Sequence, residues 1–324
     1  MLYMTLLLSR SEVEPFLQPG PILEALRCAF PAYSLKRSAA ALRVRAEVPG
    51  KTGARAIVLM PGVLEDIPAY TVKVHAKVPG MQPAIQGVLL LHDLHTGRLL
   101  AVMDSTAITA LRTGLCGALA ADVLARSDAS RVAIIGAGVQ GRLQLRCLRL
   151  VRSLSQVRVF DVEPQEAYRF AQEMREELHI SVLVETSVEA AVRDAEIIVT
   201  VTWAREPFLF ASMVQPGTHI STLGPDEPGK CEVGADLLQH SLFVCDDRAL
   251  AVSMGAIGGA GLDEQAIDAE LGEVLAGVKA GRSFAEQLTV YGGVGLAFQD
   301  LVACWHVYQE ALRAGQGQTI DFLG

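Results

Sequence analysis

Residues 131–141 read RVAIIGAGVQG. An apolar run, Val132–Ala133–Ile134–Ile135, stops at Gly136, and two further glycines follow as Gly138 and Gly141, which completes the spacing G-x-G-x-x-G. Directly after a strand and at the start of a helix, each glycine has a separate task. The first permits the tight turn, the second lets backbone approach a pyrophosphate, and the third lets helix and strand pack closely, while the helix N-terminus supplies N–H groups and positive dipole. The next strand pattern, VRVFD, ends on Asp161, where an acid that bonds an adenosine ribose diol belongs. A carboxylate there repels a 2′-phosphate, so the expected cofactor is NAD(H), with NADP(H) as the alternative.

Outward from this loop, strand and helix patterns alternate: a helix to about Val151, QVRVFD, EAYRFAQEMREEL, VLVE, SVEAAVRDA, EIIVTVT, HISTLG and SLFVCD. Short runs this apolar between helices indicate a parallel sheet buried on both faces. Before residue 110 the pattern changes to short strands of period two. ALRVRAEV sorts Leu42, Val44 and Ala46 against Arg43, Arg45 and Glu47, and AYTVKVHAKV sorts Val72, Val74 and Ala76 against Thr71, Lys73, His75 and Lys77. Taken singly, such a charged strand face reads as solvated sheet. A helix near PGPILEALRCAF and a hairpin turning at His95–Thr96–Gly97 complete an antiparallel-sheet domain, and a helix from Asp104 to Ala125, carrying Arg112, bridges to the second half. The fold class is therefore α/β: a Rossmann dinucleotide-binding domain at 113–301 and a substrate-binding and dimerisation domain at 1–112 and 302–324.

Composition narrows the partners. About half of the 324 residues are hydrophobic, and 28 basic against 36 acidic residues give a formal charge of −8 without a basic block that could track a phosphate backbone. Nucleic acid and anionic membrane are excluded as expected partners, and no apolar run is expected to span a bilayer. The N-terminus lacks a basic region before its apolar run and reads as a first strand. Cys28, Cys116, Cys147, Cys231, Cys245 and Cys304 form no C-x-x-C pair, which points to reduced core thiols in a cytoplasmic protein. His92 and His95 occupy a hairpin turn with no third ligand, so no metal is expected.

One turn carries more chemistry than a turn requires. Residues 224–233, GPDEPGKCEV, hold Asp226 and Lys230 between glycines and prolines just after the strand pattern HISTL. Together with VMDSTAITALRTG, AIIGAGVQG, LGEVLAGVKAGR and TVYGGVGLAFQDL, in this order and spacing, the turn resembles the ornithine cyclodeaminase/mu-crystallin family from about residue 5 to the C-terminus. The family includes ornithine and lysine cyclodeaminases, amino-acid dehydrogenases, cyclic ketimine reductases and the carrier protein mu-crystallin. Its fold is a homodimer whose N-terminal sheet domain is completed by the C-terminus.

The resemblance implies that Arg45, Lys73 and Arg112 hold a substrate carboxylate, which suits an arginine fork and a lysine point charge. It further implies Asp226 and Lys73 in catalysis, Val294 at the substrate, Val139, Gln140 and Thr202 at the dinucleotide, and Lys230 close to the cofactor. The expected activity is interconversion of an imino acid and an L-amino acid by hydride transfer at the α-carbon. The alternatives are ammonia-releasing cyclodeamination of ornithine or lysine, and binding without catalysis. Three departures bear on the substrate: Val58 stands where ornithine cyclodeaminases place a glutamate, Ala84 where a hydroxyl is frequent, and Gly293 where a serine is usual. The absent glutamate argues for a smaller or less charged substrate side chain.

Overall fold

The computed structural model describes residues 4–36, 42–48, 56–78, 81, 83 and 85–322. The chain divides into two compact units, residues 1–112 with 296–324, and residues 113–295. Residues 296–301 thus belong with the first unit, not with the dinucleotide-binding half as the sequence boundary at 301/302 has it. The helix Ala297–Ala314 is indivisible, and its first turn is anchored in the first unit, where Phe298 stacks on Tyr33 at 4.8 Å and meets Phe30 edge-on at 5.2 Å.

Among the described residues, the first unit is built on one seven-stranded sheet. Its strands are β1 (Met4–Leu8), β2 (Val44–Glu47), β3 (Ala56–Val63), β4 (Ala69–Lys77), β5 (Ile85–Asp93), β6 (Leu99–Asp104) and a C-terminal strand, Gln318–Asp321. The C-terminal strand lies beside β1, and the order continues β6, β5, β4, β3, β2. All pairings are antiparallel except that of β1 with β6, which is parallel.

The two faces of this sheet are the reverse of what alternation suggests. Along β4 the polar residues Thr71, Lys73, His75 and Lys77 are buried, whereas Val72, Val74 and Ala76 are half-exposed. The cause lies far along the chain: helix Ala297–Ala314 packs on β3 and β4 and brings a counter-charge, Asp300, to the polar face. The opposite face carries a continuous row across four strands, Val44–Leu59–Val74–Val88, in which Val44, Leu59 and Val88 are all exposed.

The second unit is an eight-stranded, all-parallel sheet. Its strands are β7 (Arg131–Ile135), β8 (Gln156–Phe160), β9 (Ser181–Val184), β10 (Ile197–Thr200), β11 (His219–Thr222), β12 (Leu242–Cys245), β13 (Ala269–Glu270) and β14 (Thr289–Gly292), in the order β13-β12-β14-β11-β10-β7-β8-β9. Two apolar clusters cover its faces, one around Ile134, Val157 and Phe170, the other around Ile135, Ile198 and Phe243. This is the doubly covered arrangement that near-continuous apolar strands require.

The helix Ser105–Leu124 contains the division between the units. It is long and apolar enough to cross a membrane, contrary to the sequence expectation that no segment is. Two-thirds of its apolar window is buried inside the protein, and its Arg112 is tied to a carboxylate, as befits a core helix. All six cysteines are free, five of them buried, and burial pushes the Cys147 thiol up to about 12.

Candidate active site

In the first unit the charged side chains converge on Asp300, which is fully buried in the first turn of its helix. Its Oδ2 accepts from Lys73 Nζ at 2.6 Å and its Oδ1 from Arg112 Nε at 3.0 Å. Arg112 Nη1 also donates to Gln299 Oε1 at 2.9 Å, which fixes the amide's orientation; Gln299 Nε2 is buried with no hydrogen-bond partner among the described residues. Sequence reasoning missed both Gln299 and Asp300. An acid in a helix's first turn is the ordinary complement to the macrodipole and carries no mark of a partner 227 residues away.

Burial holds Lys73 down to about 8, opposed by Asp300 and reinforced by the neighbouring Arg112 and Arg43 guanidinium groups. The carboxyl of Asp300 stays below the usual range even though burial opposes it, because Arg112 and Lys73 favour its charged form. His75, on the same face, is pushed down to about 3 by burial and by Lys73 and Arg43, and is therefore neutral. Arg45 occupies this face as well: the register aligns Arg45, Val58, His75 and Gly87 in one row, beside the row holding Met60, Lys73 and Leu89. Val58 is fully buried, so the departure from glutamate falls on the lysine face of the sheet. Ala84 lies outside the described residues.

In the second unit the glycine loop has the geometry that its spacing predicts. Gly136 has φ +104°, a left-handed value that L side chains avoid, and a Cβ there would lie 2.7 Å from Val201 O. A Cβ on Gly141 would strike the carbonyl of Gly136, whereas one on Gly138 would meet nothing, so the middle glycine leaves open the approach to the first turn of helix Val139–Val151. Val139 is exposed and Gln140 half-buried in that turn. Asp161 reaches the loop, accepting from Ala137 N at 2.7 Å through Oδ2 and from Glu163 N at 2.9 Å through Oδ1. These residues fit a dinucleotide: an open N-terminal turn for the pyrophosphate and a carboxylate at the end of β8 for the ribose.

The turn at 224–233 forms a second cluster. Lys230 Nζ donates to Asp226 Oδ1 at 2.8 Å and to Gly224 O at 3.3 Å, and lies 4.0 Å from the centre of the Trp203 ring. The ammonium expected near the cofactor thus also anchors the proposed catalytic carboxylate. Glu232 accepts from both the backbone N and the Oγ1 of Thr202. Val294 is held from its backbone, donating to Asp246 Oδ2 at 3.0 Å, as does Gly295 at 2.7 Å. Gly293 sits where a Cβ would lie 2.8 Å from Leu223 and 3.0 Å from the Tyr291 ring, so those side chains fill the space a serine needs.

Residues 4–315 match the model of the ornithine cyclodeaminase/mu-crystallin family. The chain belongs to that family. It is 35% identical to the alanine dehydrogenase of Archaeoglobus fulgidus, covering 98% of this chain and 99% of that one. Among solved structures, an archaeal alanine dehydrogenase dimer with bound NAD superposes with a TM-score of 0.92 at 33% identity, over 99% of this chain and all of that one. The pyrroline-2-carboxylate reductase of Thermococcus litoralis, in complex with NADH and L-proline, also gives a TM-score of 0.92 at 33% identity, over 98% of this chain and 100% of that one. The α/β architecture of this family member, a largely antiparallel sheet and a parallel Rossmann-like sheet, is thus shared over essentially the full length of NAD-bound relatives.

Proposed function

We propose that the protein is an NAD(H)-dependent oxidoreductase that interconverts an imino acid, either a cyclic ketimine such as pyrroline-2-carboxylate or the imine of a 2-oxo acid, with an L-amino acid. The observation that carries this reading is the buried Lys73–Asp300–Arg112 cluster. The charges that act most strongly on Lys73 are one carboxylate and two guanidinium groups, so the cluster favours a further anion. A substrate carboxylate supplies it, held by Arg112 and Lys73 with Arg45 on the same sheet face.

Gly136, Gly138, Val139, Gln140 and Gly141 hold the dinucleotide phosphates, Asp161 the adenosine ribose, and Thr202 the nicotinamide half. When bound, the nicotinamide supplies a hydride to, or takes one from, the substrate α-carbon. Asp226, oriented by Lys230, delivers the proton to the substrate nitrogen as C=N becomes CH–NH, and removes it in the reverse direction. Val294 lines the substrate side. The Asp161 carboxylate favours NAD(H) over NADP(H), in keeping with the bound nucleotides of the two solved relatives.

The protein acts as a homodimer, assembled through the exposed Val44–Leu59–Val74–Val88 face, in keeping with the dimeric alanine dehydrogenase. Its five buried free thiols support a reducing, cytoplasmic setting.

The test is a substrate panel. Purified protein consumes NADH with pyrroline-2-carboxylate, or with pyruvate and ammonium. Release of ammonia from ornithine with trace NAD⁺, without net NADH consumption on the imino acids, replaces this reading with cyclodeamination. Tight nucleotide binding with neither reaction replaces it with a binding protein. Val58, itself buried and in the same row as Arg45, favours the reductase over a site for a diamino acid.

A further inference from the structure

Five hydrogen-bond donors surround a single carboxylate, that of Glu232, which is almost wholly buried. Oε1 accepts from Thr202 N at 2.6 Å and Thr202 Oγ1 at 2.7 Å. Oε2 accepts from Thr200 Oγ1 at 2.6 Å, Thr222 Oγ1 at 2.8 Å and Gly224 N at 3.1 Å. The donors come from the C-terminal ends of β10 and β11 and from the second residue beyond each, at the edge of a parallel sheet where ligands bind. Gly224 opens the turn that carries Asp226 and Lys230, and Glu232 stands near its close, so one carboxylate joins both ends of that turn.

The space is matched as closely as the hydrogen bonds. A Cβ on Gly224 would strike Glu232 Oε1 and lie 2.5 Å from its Cδ and 2.6 Å from Thr202 O, so a glycine is required where the turn passes the carboxylate. The same contacts fix the polarity of Thr202. A threonine hydroxyl has one proton and two lone pairs; the proton goes to Glu232, and one lone pair receives Ala204 N at 3.2 Å. What remains is an acceptor, suited to an N–H donor such as a carboxamide.

We propose that Glu232 is a positioning residue: its carboxylate ties the ends of the Asp226 turn to Thr202, and so sets the proton carrier and the cofactor-side hydroxyl in register with each other. The proposal rests on the oxidoreductase reading above. Glutamine cannot replace this glutamate. Whichever oxygen becomes an NH₂ group then faces a backbone N–H, either Thr202 N or Gly224 N, and unlike a hydroxyl a backbone N–H cannot reverse its polarity.

The test compares Glu232→Gln, Gly224→Ala and a stability control, Val157→Ala, which shortens a fully buried core side chain on β8. With NADH and pyrroline-2-carboxylate, Glu232→Gln lowers kcat by about 100-fold, the loss expected of a misplacement near 1 Å. KM for the imino acid moves by less than about threefold, because the carboxylate is held by Lys73 and Arg112. Gly224→Ala, which keeps the glutamate but pushes the turn off it, reproduces the kcat loss and serves if the first variant does not fold. Val157→Ala lowers the melting temperature and leaves kcat within about threefold. Wild-type-like kcat in either folded site variant, or an equal kcat loss in Val157→Ala, overturns the proposal.

If wild-type protein turns over no imino acid, the functional reading fails separately, and the tie is judged by amide exchange. Thr202 and Gly224 then exchange at least about tenfold faster in Glu232→Gln than in wild type and Val157→Ala. Unchanged exchange overturns the proposal.

Discussion

Replacing Asp300 with asparagine keeps the side chain's shape and removes its charge, and the structure sets the size of the effect. Lys73 and Arg112, both almost fully buried, lose their shared carboxylate. Removing one member of a buried ion pair costs about 3–5 kcal/mol, because a buried charge loses its counter-charge. At about 2–4 °C per kcal/mol for domains of this size, the melting temperature falls by roughly 6–20 °C. The loss depends on pH with a definite sign. Lys73 already sits at about 8 in the folded chain against 10.5 when exposed, so the unfolded state binds more protons in that window and wild-type stability rises with pH across it. Without Asp300, which opposes the downward shift, the folded-state value drops further and the window extends to lower pH. The variant's deficit is therefore larger at pH 6 than at pH 9, where Lys73 is neutral in both folded proteins. Activity follows. A less protonated Lys73 gives the substrate carboxylate a weaker charge-assisted bond, worth about 1.5–3 kcal/mol in full, and KM rises by up to about a hundredfold. Calorimetry at the two pH values and steady-state kinetics at pH 7 read all of this. A melting temperature within 2 °C of wild type, or equal deficits at pH 6 and pH 9, refutes the reasoning.

Three further outcomes are expected. Asp226→Asn lowers kcat by about 10²–10⁴-fold while NADH affinity stays within about twofold, as expected for loss of a general acid–base; near-normal turnover removes Asp226 from that role. Wild-type protein prefers NADH over NADPH in kcat/KM, and Asp161→Ser narrows the gap by about tenfold, roughly 1.4 kcal/mol; equal use of both cofactors by wild type is the contrary result. Leu59→Glu, which puts a charge in the middle of the exposed aliphatic row, converts a dimer to monomer in sedimentation velocity at micromolar concentration. A dimer that persists places the interface elsewhere.

The parts of this molecule that were legible in the sequence are those whose requirements are local. Gly136, Gly138 and Gly141 each satisfy a steric condition set within a few residues, and the alternation of apolar strands with helices implied the buried parallel sheet. The turn holding Asp226 and Lys230 stood out because its composition exceeded what a turn needs. The rest depended on partners distant in the chain. Period-two alternation in β4 showed that its faces differ but not which one is covered; helix Ala297–Ala314 decides that by supplying Asp300. The sequence boundary at 301/302 differs from the division at 295/296 for the same reason, since the pull of Phe298 toward Phe30 and Tyr33 leaves no local trace. Glu232 was visible only as the last acid of a motif. Its five donors lie on two strand ends and in the two loops that follow them, and nothing in their spacing announces that they point at one carboxylate.

The two-sided use of β3 and β4 restricts how this sheet can vary. On the covered side lie the charged Lys73 and the neutral His75 of β4 beside the buried Val58 and Met60 of β3; on the other lie Leu59, Val72 and Val74, facing outward. Substitution at one such position alters one surface. Insertion or deletion of one residue exchanges the two sets, carrying the lysine outward and the aliphatic row against Asp300. Length polymorphism in these strands is therefore forbidden where side-chain polymorphism is tolerated, and divergence within the sheet proceeds by replacement in a fixed frame.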